Sequence, residues 1–208
     1  MYTGISVWAF PSDWPLERIF ALAVESGFES IELAYGRTGP ITPETSANEF
    51  AAIRKLAAEA GVRISSLASG IFWEVNLLSD DETVRAEALV HLRNMLHAAA
   101  ALQVESILVV PGYIGPFESG APVVQDYMVA YKRAIEDFKS VAPLAEELGI
   151  GIGIENVWNK FLSSPLEMRA FLDAVGSPAV GVYLDIANSL RTGYAEHWIK
   201  ILGGYLKG

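Results

Sequence analysis

Apolar positions along this chain follow two alternating rhythms. Short stretches alternate apolar residues with small or polar ones. Between them run longer segments whose apolar residues return every three or four positions. The short stretches predict strands near Gly4–Phe10 and in "FESIELA", "VRISSLAS", "SILVVPG", "IGIGIEN" and "VGVYLDIANSL" (180–190). The longer segments predict helices near Pro15–Ser26, Ala47–Ala60, Glu82–Leu102, Val123–Leu148, Pro165–Val175 and Glu196–Leu202. Pro15 suits a first helical position, and Gly27, Gly61 and Gly149 suit helix ends. Pro143 lies inside the fourth helix and is expected to kink or interrupt it.

Six β-α units therefore follow one another, with no Gly/Ser linker and no low-complexity segment between them. Such alternation predicts an α/β fold with a parallel sheet covered by helices, either an open doubly wound sheet or a closed (β/α)8 TIM barrel. The strand faces separate the two. Ile150, Ile152 and Ile154 share one face of the fifth strand, opposite Gly149, Gly151, Gly153 and Glu155. Val180, Val182 and Leu184 oppose Gly181, Tyr183 and Asp185, and Ile31 and Leu33 oppose Ser30, Glu32 and Ala34. A doubly wound sheet is buried on both faces and should be apolar on both. A barrel covers only its outer face with helices, so one small or polar face per strand favours the barrel.

Composition narrows the function classes. Hydrophobic residues make up 51% and charged residues 19%, which fits a packed single domain over 1–208 and excludes a disordered chain. The net charge of −10 argues against nucleic acid as a partner, because phosphate binding needs clustered Lys and Arg. Without cysteine there is no disulfide framework and no thiolate metal site. The N-terminus lacks a basic leader with an apolar core, and no run of about 18 residues is free of charge and breakers. A cytoplasmic protein that does not span a membrane is expected.

Three acidic side chains stand at inferred strand ends: Glu32, Glu155 and Asp185. In a barrel that edge carries the catalytic groups. Glu155 and Asp185 belong to neighbouring strands with the same inward parity. Two carboxylates so placed repel unless a proton or a cation sits between them, and a divalent metal resolves the conflict. Each alone could equally end its strand by accepting hydrogen bonds from loop N–H groups. The glycines of "GIGIG" fail the dinucleotide fingerprint, since Ile154 occupies the third glycine position. His91, His97 and His197 lie on helices and are expected to be surface or packing residues. Trp8, Phe72, Trp73, Asn156, Trp158, Asn159, Lys160, Asn188 and Arg191 gather at the same edge. Aromatic walls with a few amides suit a polyhydroxylated ligand.

"FESIELA", "SILVVPG", "GIGIENVWNKFLSSP" and "VGVYLDIANSLRTGYAEHWIKILG" resemble the sugar phosphate isomerase/epimerase family. This xylose-isomerase-like barrel group includes ketose 3-epimerases and inosose dehydratases. The resemblance runs over essentially the whole chain. It implies a metal-dependent isomerase or epimerase of a sugar or sugar phosphate, with proton transfer through a metal-stabilised enediolate. It also implies a divalent metal (Mn, Co, Mg or Zn) held by Glu, Asp, His and Glu from four successive strands. Glu155 matches the first ligand and an acid/base group, and Asp185 the second. Trp8, Glu32, Trp73, Asn156, Lys160 and Asn188 would contact substrate, and Lys160 and Arg191 are the nearest cations for a phosphate.

The sequence departs from that pattern at its end. The third ligand is expected on a seventh strand, yet "GGYLKG" closes the chain where that strand should begin. The expectation is an incomplete barrel of about six units, with two exposed sheet edges and a tendency to associate as a homo-oligomer. Two other readings stay open. One is a dehydratase-type lyase on the same barrel. The other is a non-catalytic barrel that only binds a ligand or a partner. Metal-dependent DNA-repair endonucleases share the barrel, but the charge of −10 opposes that reading.

Overall fold

A computed structural model of the chain describes residues 2–115 and 125–208. Its strands are β1 (Gly4–Ser6), β2 (Ser30–Tyr35), β3 (Arg63–Ser69), β4 (Ser106–Val109), β5 (Gly151–Glu155) and β6 (Val180–Tyr183). Its helices are α1 (Leu16–Glu25), α2 (Ala47–Ala60), α3 (Glu82–Leu102), α4 (Tyr127–Leu148), α5 (Pro165–Val175), α6 (Ile186–Ser189) and α7 (Ala195–Leu202).

Local chemistry sets the helix boundaries. Ser46 and Glu49 form a reciprocal capping box at the start of α2, and Asp81 caps α3 through the Thr83 N–H. Gly149 ends α4 in the left-handed conformation. The expected start of α4 at Val123 lies outside the described residues. The helix is described from Tyr127, with Asp126 as its cap. Pro143 does not interrupt it. The proline is exposed, so the carbonyl it leaves without an intrahelical partner is on the solvent side. Pro15 is the cap of α1 rather than its first residue. β1 is shorter than predicted because Ser6 caps a 3-10 turn at Val7–Ala9.

The six strands form one parallel sheet in the order β1-β2-β3-β4-β5-β6. A doubly wound sheet reverses its strand order at a switch point, and here there is none. Right-handed crossovers in one direction place every helix on the same face and curl the sheet toward the other. The curl is visible in one contact. The Tyr183 hydroxyl, on β6, donates to Glu32 Oε2, on β2, at 2.7 Å. In a flat sheet those strands would stand about 19 Å apart. The barrel reading of the strand faces therefore holds.

The outer face carries the core. Phe20, Ile31, Leu33, Leu67, Ile107, Val109, Phe138, Ile152, Ile154, Phe171 and Val182 are fully or almost fully buried in one cluster between sheet and helices. Each such side chain contributes about 1.5–3 kcal/mol through burial. A register shift between Ile31 and Glu32 opposite β3 leaves Ser65 as an extra residue. The bulge keeps Ile64 opposite Ile31, Leu67 opposite Leu33, and Ser66 opposite Glu32. Without it, Leu67 would turn inward. At the far edge, Val182 bridges Leu206 in parallel, supported by Lys207 N–H to the Val182 carbonyl at 2.9 Å. Residues 206–208 therefore cover part of the β6 edge that was expected to be bare.

Candidate active site

Glu155 is the last residue of β5, and its register partner is Tyr183, the last residue of β6. Asp185 lies two residues beyond Tyr183. It is not a strand residue as the parity reading expected, but the N-cap of the short helix α6. Its Oδ1 accepts the Asn188 backbone N–H at 2.7 Å, and that local bond turns the chain out of the strand.

Two amides hold the carboxylates in place. Asn156 is 5% exposed, and its Nδ2 donates to the Asp185 carbonyl at 2.8 Å. The Asp185 N–H donates back to Asn156 Oδ1 at 2.7 Å. Asn188 Nδ2 donates to Glu155 Oε1 at 3.2 Å, while the Asn188 carbonyl accepts from Trp158 Nε1 at 3.1 Å. Asn188 thus ties Glu155, Asp185 and Trp158 together. Both asparagines were expected as substrate contacts. In the structure their amides are engaged with the carboxylate residues, and each also lines the adjoining cavity.

Burial, the Asp185 charge and the Glu32 charge push the Glu155 carboxyl up to about 7, against a smaller lowering by Asn188. Glu32 itself lies across the concave face. Its Oε2 accepts from the Tyr183 hydroxyl and, at 2.9 Å, from Ser66 Oγ. Burial and the Glu32 charge raise the Tyr183 pKa further, so Tyr183 stays a neutral donor. Tyr183 and Ser66 were not singled out from the sequence. The inward parity of Tyr183 was visible, but its reach to β2 depends on the curl of the sheet.

The donor chemistry fits a hard divalent cation in part. Glu155 Oε2 and Asp185 Oδ2 make no hydrogen bond among the described residues, and neither atom is sealed from solvent. After burial, the Asp185 charge is the main cause that raises Glu155, and a cation between the two would offset it. Among the described residues no cluster of three or more His, Cys, Asp or Glu could complete a metal site. The histidines do not contribute. His91 is buried behind the sheet with its Nδ1 3.1 Å from the Tyr35 hydroxyl, His97 lies on α3, and His197 packs on Tyr194.

A cavity of about 340 Å³ opens beside the carboxylates, lined by Asn156, Trp158, Lys160, Asn188, Arg191 and Trp198, among others. The Arg191 guanidinium lies 4.4 Å from the Trp158 ring centre. Trp198, on α7, is a wall residue that the sequence did not reveal. Asn159 is buried and structural, donating to the Gly112 carbonyl at 2.7 Å. The two other tryptophans expected at the site, Trp8 and Trp73, do not line this cavity. Trp8 is 56% exposed and lines a separate depression of about 530 Å³ with Trp14, Tyr35 and Arg37. Trp73 stacks on Tyr113 at 6.0 Å.

A model of the xylose isomerase-like TIM barrel family matches residues 20–208. D-psicose 3-epimerase of Agrobacterium fabrum is 33% identical over 163 residues, covering 76% of this chain and 54% of that protein. 2-epi-5-epi-valiolone 7-phosphate 2-epimerase of an Actinoplanes species is 28% identical over 178 residues, covering 86% of this chain and 60% of that protein. The chain spans less than two thirds of the length of either. A crystal structure of D-psicose 3-epimerase in the presence of D-fructose superposes with a TM-score of 0.78 at 28% identity, covering 92% of this chain and 65% of that one. Sheet order, curled strands and a family match over nine tenths of its length lead to one conclusion: the chain belongs to the xylose isomerase-like TIM barrel family.

Proposed function

We propose that the protein is a metal-dependent sugar or sugar-phosphate epimerase or isomerase, acting at the carbon beside a ketose carbonyl. The observation that carries this reading is the pair Glu155, at the end of β5, and Asp185, just beyond β6, braced by Asn156 and Asn188, each with one oxygen that makes no hydrogen bond among the described residues. The epimerase names of the relatives support it.

Glu155 and Asp185 would hold the divalent metal, which when bound supplies stabilisation of negative charge developing on the sugar oxygens. Glu155 takes the proton from the carbon beside the carbonyl. The C–H electron pair moves into the carbonyl system and gives an enediolate, and return of a proton completes the reaction. Asn188 orients the Glu155 carboxylate through Oε1 and leaves Oε2 available. Trp158 offers an apolar face to the C–H surface of a sugar, and the buried Trp198 closes the cavity wall.

The test is solvent deuterium incorporation, followed by NMR, with Mn²⁺ and a panel of ketoses and their phosphates. Deuterium is expected at the carbon beside the carbonyl, and Glu155→Gln is expected to abolish it. No incorporation across the panel would overturn the proposal.

A further inference from the structure

The cavity beside the carboxylates is lined by both neutral amides and cations. Asn156 and Asn188 connect it to Asp185 and Glu155. Lys160 and Arg191 line the same cavity, with the hydroxyl residues Ser163 and Thr192. Among the described residues Arg191 makes no ion pair, although the chain carries 25 acidic and only 15 basic residues. Its guanidinium is instead stacked on Trp158, and Trp158 is fixed by its Nε1 bond to the Asn188 carbonyl. An arginine held by an aromatic face keeps its N–H edge available and loses little freedom when an anion arrives.

The backbone positions Lys160 in a comparable way. Lys160 and Leu162 have φ of 59° and 50°, a region that L-residues seldom adopt. The conformation is enforced from both sides, because Asn159 and Phe161 are each 1% exposed. Asn159 accepts the Phe161 N–H at 3.0 Å and donates to the Gly112 carbonyl, while the Leu162 N–H donates to the Tyr127 hydroxyl at 3.1 Å. Backbone conformations of this kind, held by their surroundings, cluster at binding sites. With its neighbours locked inward, Lys160 is displayed at the rim.

We propose that Arg191 and Lys160 form an anion subsite that binds the phosphate of a phosphorylated sugar, with the hydroxylated end of the same molecule directed to Glu155 and Asp185. This rests on the sugar-epimerase reading and narrows its substrate class to sugar phosphates. Electrostatics sets the orientation. A phosphate is repelled by the two carboxylates and attracted by the guanidinium, which can donate two parallel hydrogen bonds to it. A cavity near 340 Å³ is at the small end of ligand sites and suits one monosaccharide phosphate.

Calorimetric titration of the protein with fructose 6-phosphate, fructose and inorganic phosphate tests this, with Mn²⁺ present throughout. Charge-assisted hydrogen bonds predict that fructose 6-phosphate binds about tenfold or more tightly than fructose. The preference should shrink as NaCl is raised. Arg191→Gln and Lys160→Met should each reduce it, and Arg191→Lys should restore part of it, with circular dichroism confirming the fold of each variant. Equal affinity for the two sugars in the unaltered protein overturns the subsite and leaves the epimerase reading standing. So does a preference that survives the double substitution. Failure of both fructose 6-phosphate and inorganic phosphate to bind overturns it as well. A phosphate preference that depends on Arg191, without deuterium incorporation into any sugar, sustains the subsite and overturns the epimerase reading.

Discussion

Asn156 shows how a single neutral side chain can determine where a charge stands. Its amide satisfies both the N–H and the carbonyl of Asp185, 29 residues away. Asn156→Ala leaves two partly buried main-chain groups without those partners and is expected to lower stability by about 1–3 kcal/mol. Urea unfolding measures this, and an unchanged midpoint would refute the clamp. His91 makes a prediction about pH. Burial, and then Arg37, hold its pKa below the ordinary 6.5, against smaller opposing effects from Glu87, Glu74 and Glu44. The unfolded chain therefore takes up the His91 proton at a higher pH than the folded one. Its contribution to stability is complete above about pH 6.5 and is lost as pH falls through the depressed folded value. Denaturant unfolding from pH 7.5 down to 5 should show this slope, and His91→Leu should flatten it. The residue types at the site were legible in the sequence. Glu155 and Asp185 stood out as carboxylates at strand ends. The tasks of Asn156 and Asn188 were not legible, because their bonds bridge about 30 residues and depend on two strands lying side by side.

At the scale of elements, the glycines of β5 explain what the alternation only outlined. "GIGIG" did not form a nucleotide loop. It supplies a strand whose inner face has no side chains until Glu155. A Cβ at Gly153 would stand 2.9 Å from the Tyr183 Cβ and 3.0 Å from its Cδ2, so the absence of a side chain there lets the tyrosine ring lie across the inner face. Gly153→Ala is expected to displace Tyr183, break its bond to Glu32 and destabilise the chain by about 1–3 kcal/mol. Ultraviolet absorbance of the tyrosines and urea unfolding report the two effects, and a variant as stable as the parent would contradict this packing. The helices were readable nearly to the residue where caps are local, as at Ser46–Glu49 and Asp81. The strand ends were less so. β1 and β6 stop early because Ser6 and Asp185 bond to nearby backbone N–H groups and start a turn, a competition that hydrophobic alternation does not record.

Across the whole molecule, the curl of the sheet brings together groups from opposite ends of the chain. Glu32 and Tyr183 are 151 residues apart in sequence and hydrogen-bonded in space. The same curl sets Glu32 close enough to Glu155 to oppose its ionisation. A cation bound at Glu155 and Asp185 would neutralise this accumulation, so Mn²⁺ is expected to raise the melting temperature of the protein. At free metal 100-fold above its dissociation constant the gain is about 2.7 kcal/mol. Glu155→Gln and Asp185→Asn should each remove the shift. A shift that persists in both variants would place the metal elsewhere. The sequence by itself determined the α/β class, the succession of six units and the barrel rather than the doubly wound sheet, and it placed Glu155 and Asp185 at the ends of neighbouring strands. These follow from periodicity and strand-end position, which are local properties of the chain. Only the tertiary structure decided that Asn156 and Asn188 brace the carboxylates, that Tyr183 spans the concave face, and that Trp8 and Trp73 stand apart from the Trp158 cavity. Those outcomes depend on sheet curvature, on a bulge at Ser65 and on a helical turn after β6, which together fix distances between residues far apart in sequence.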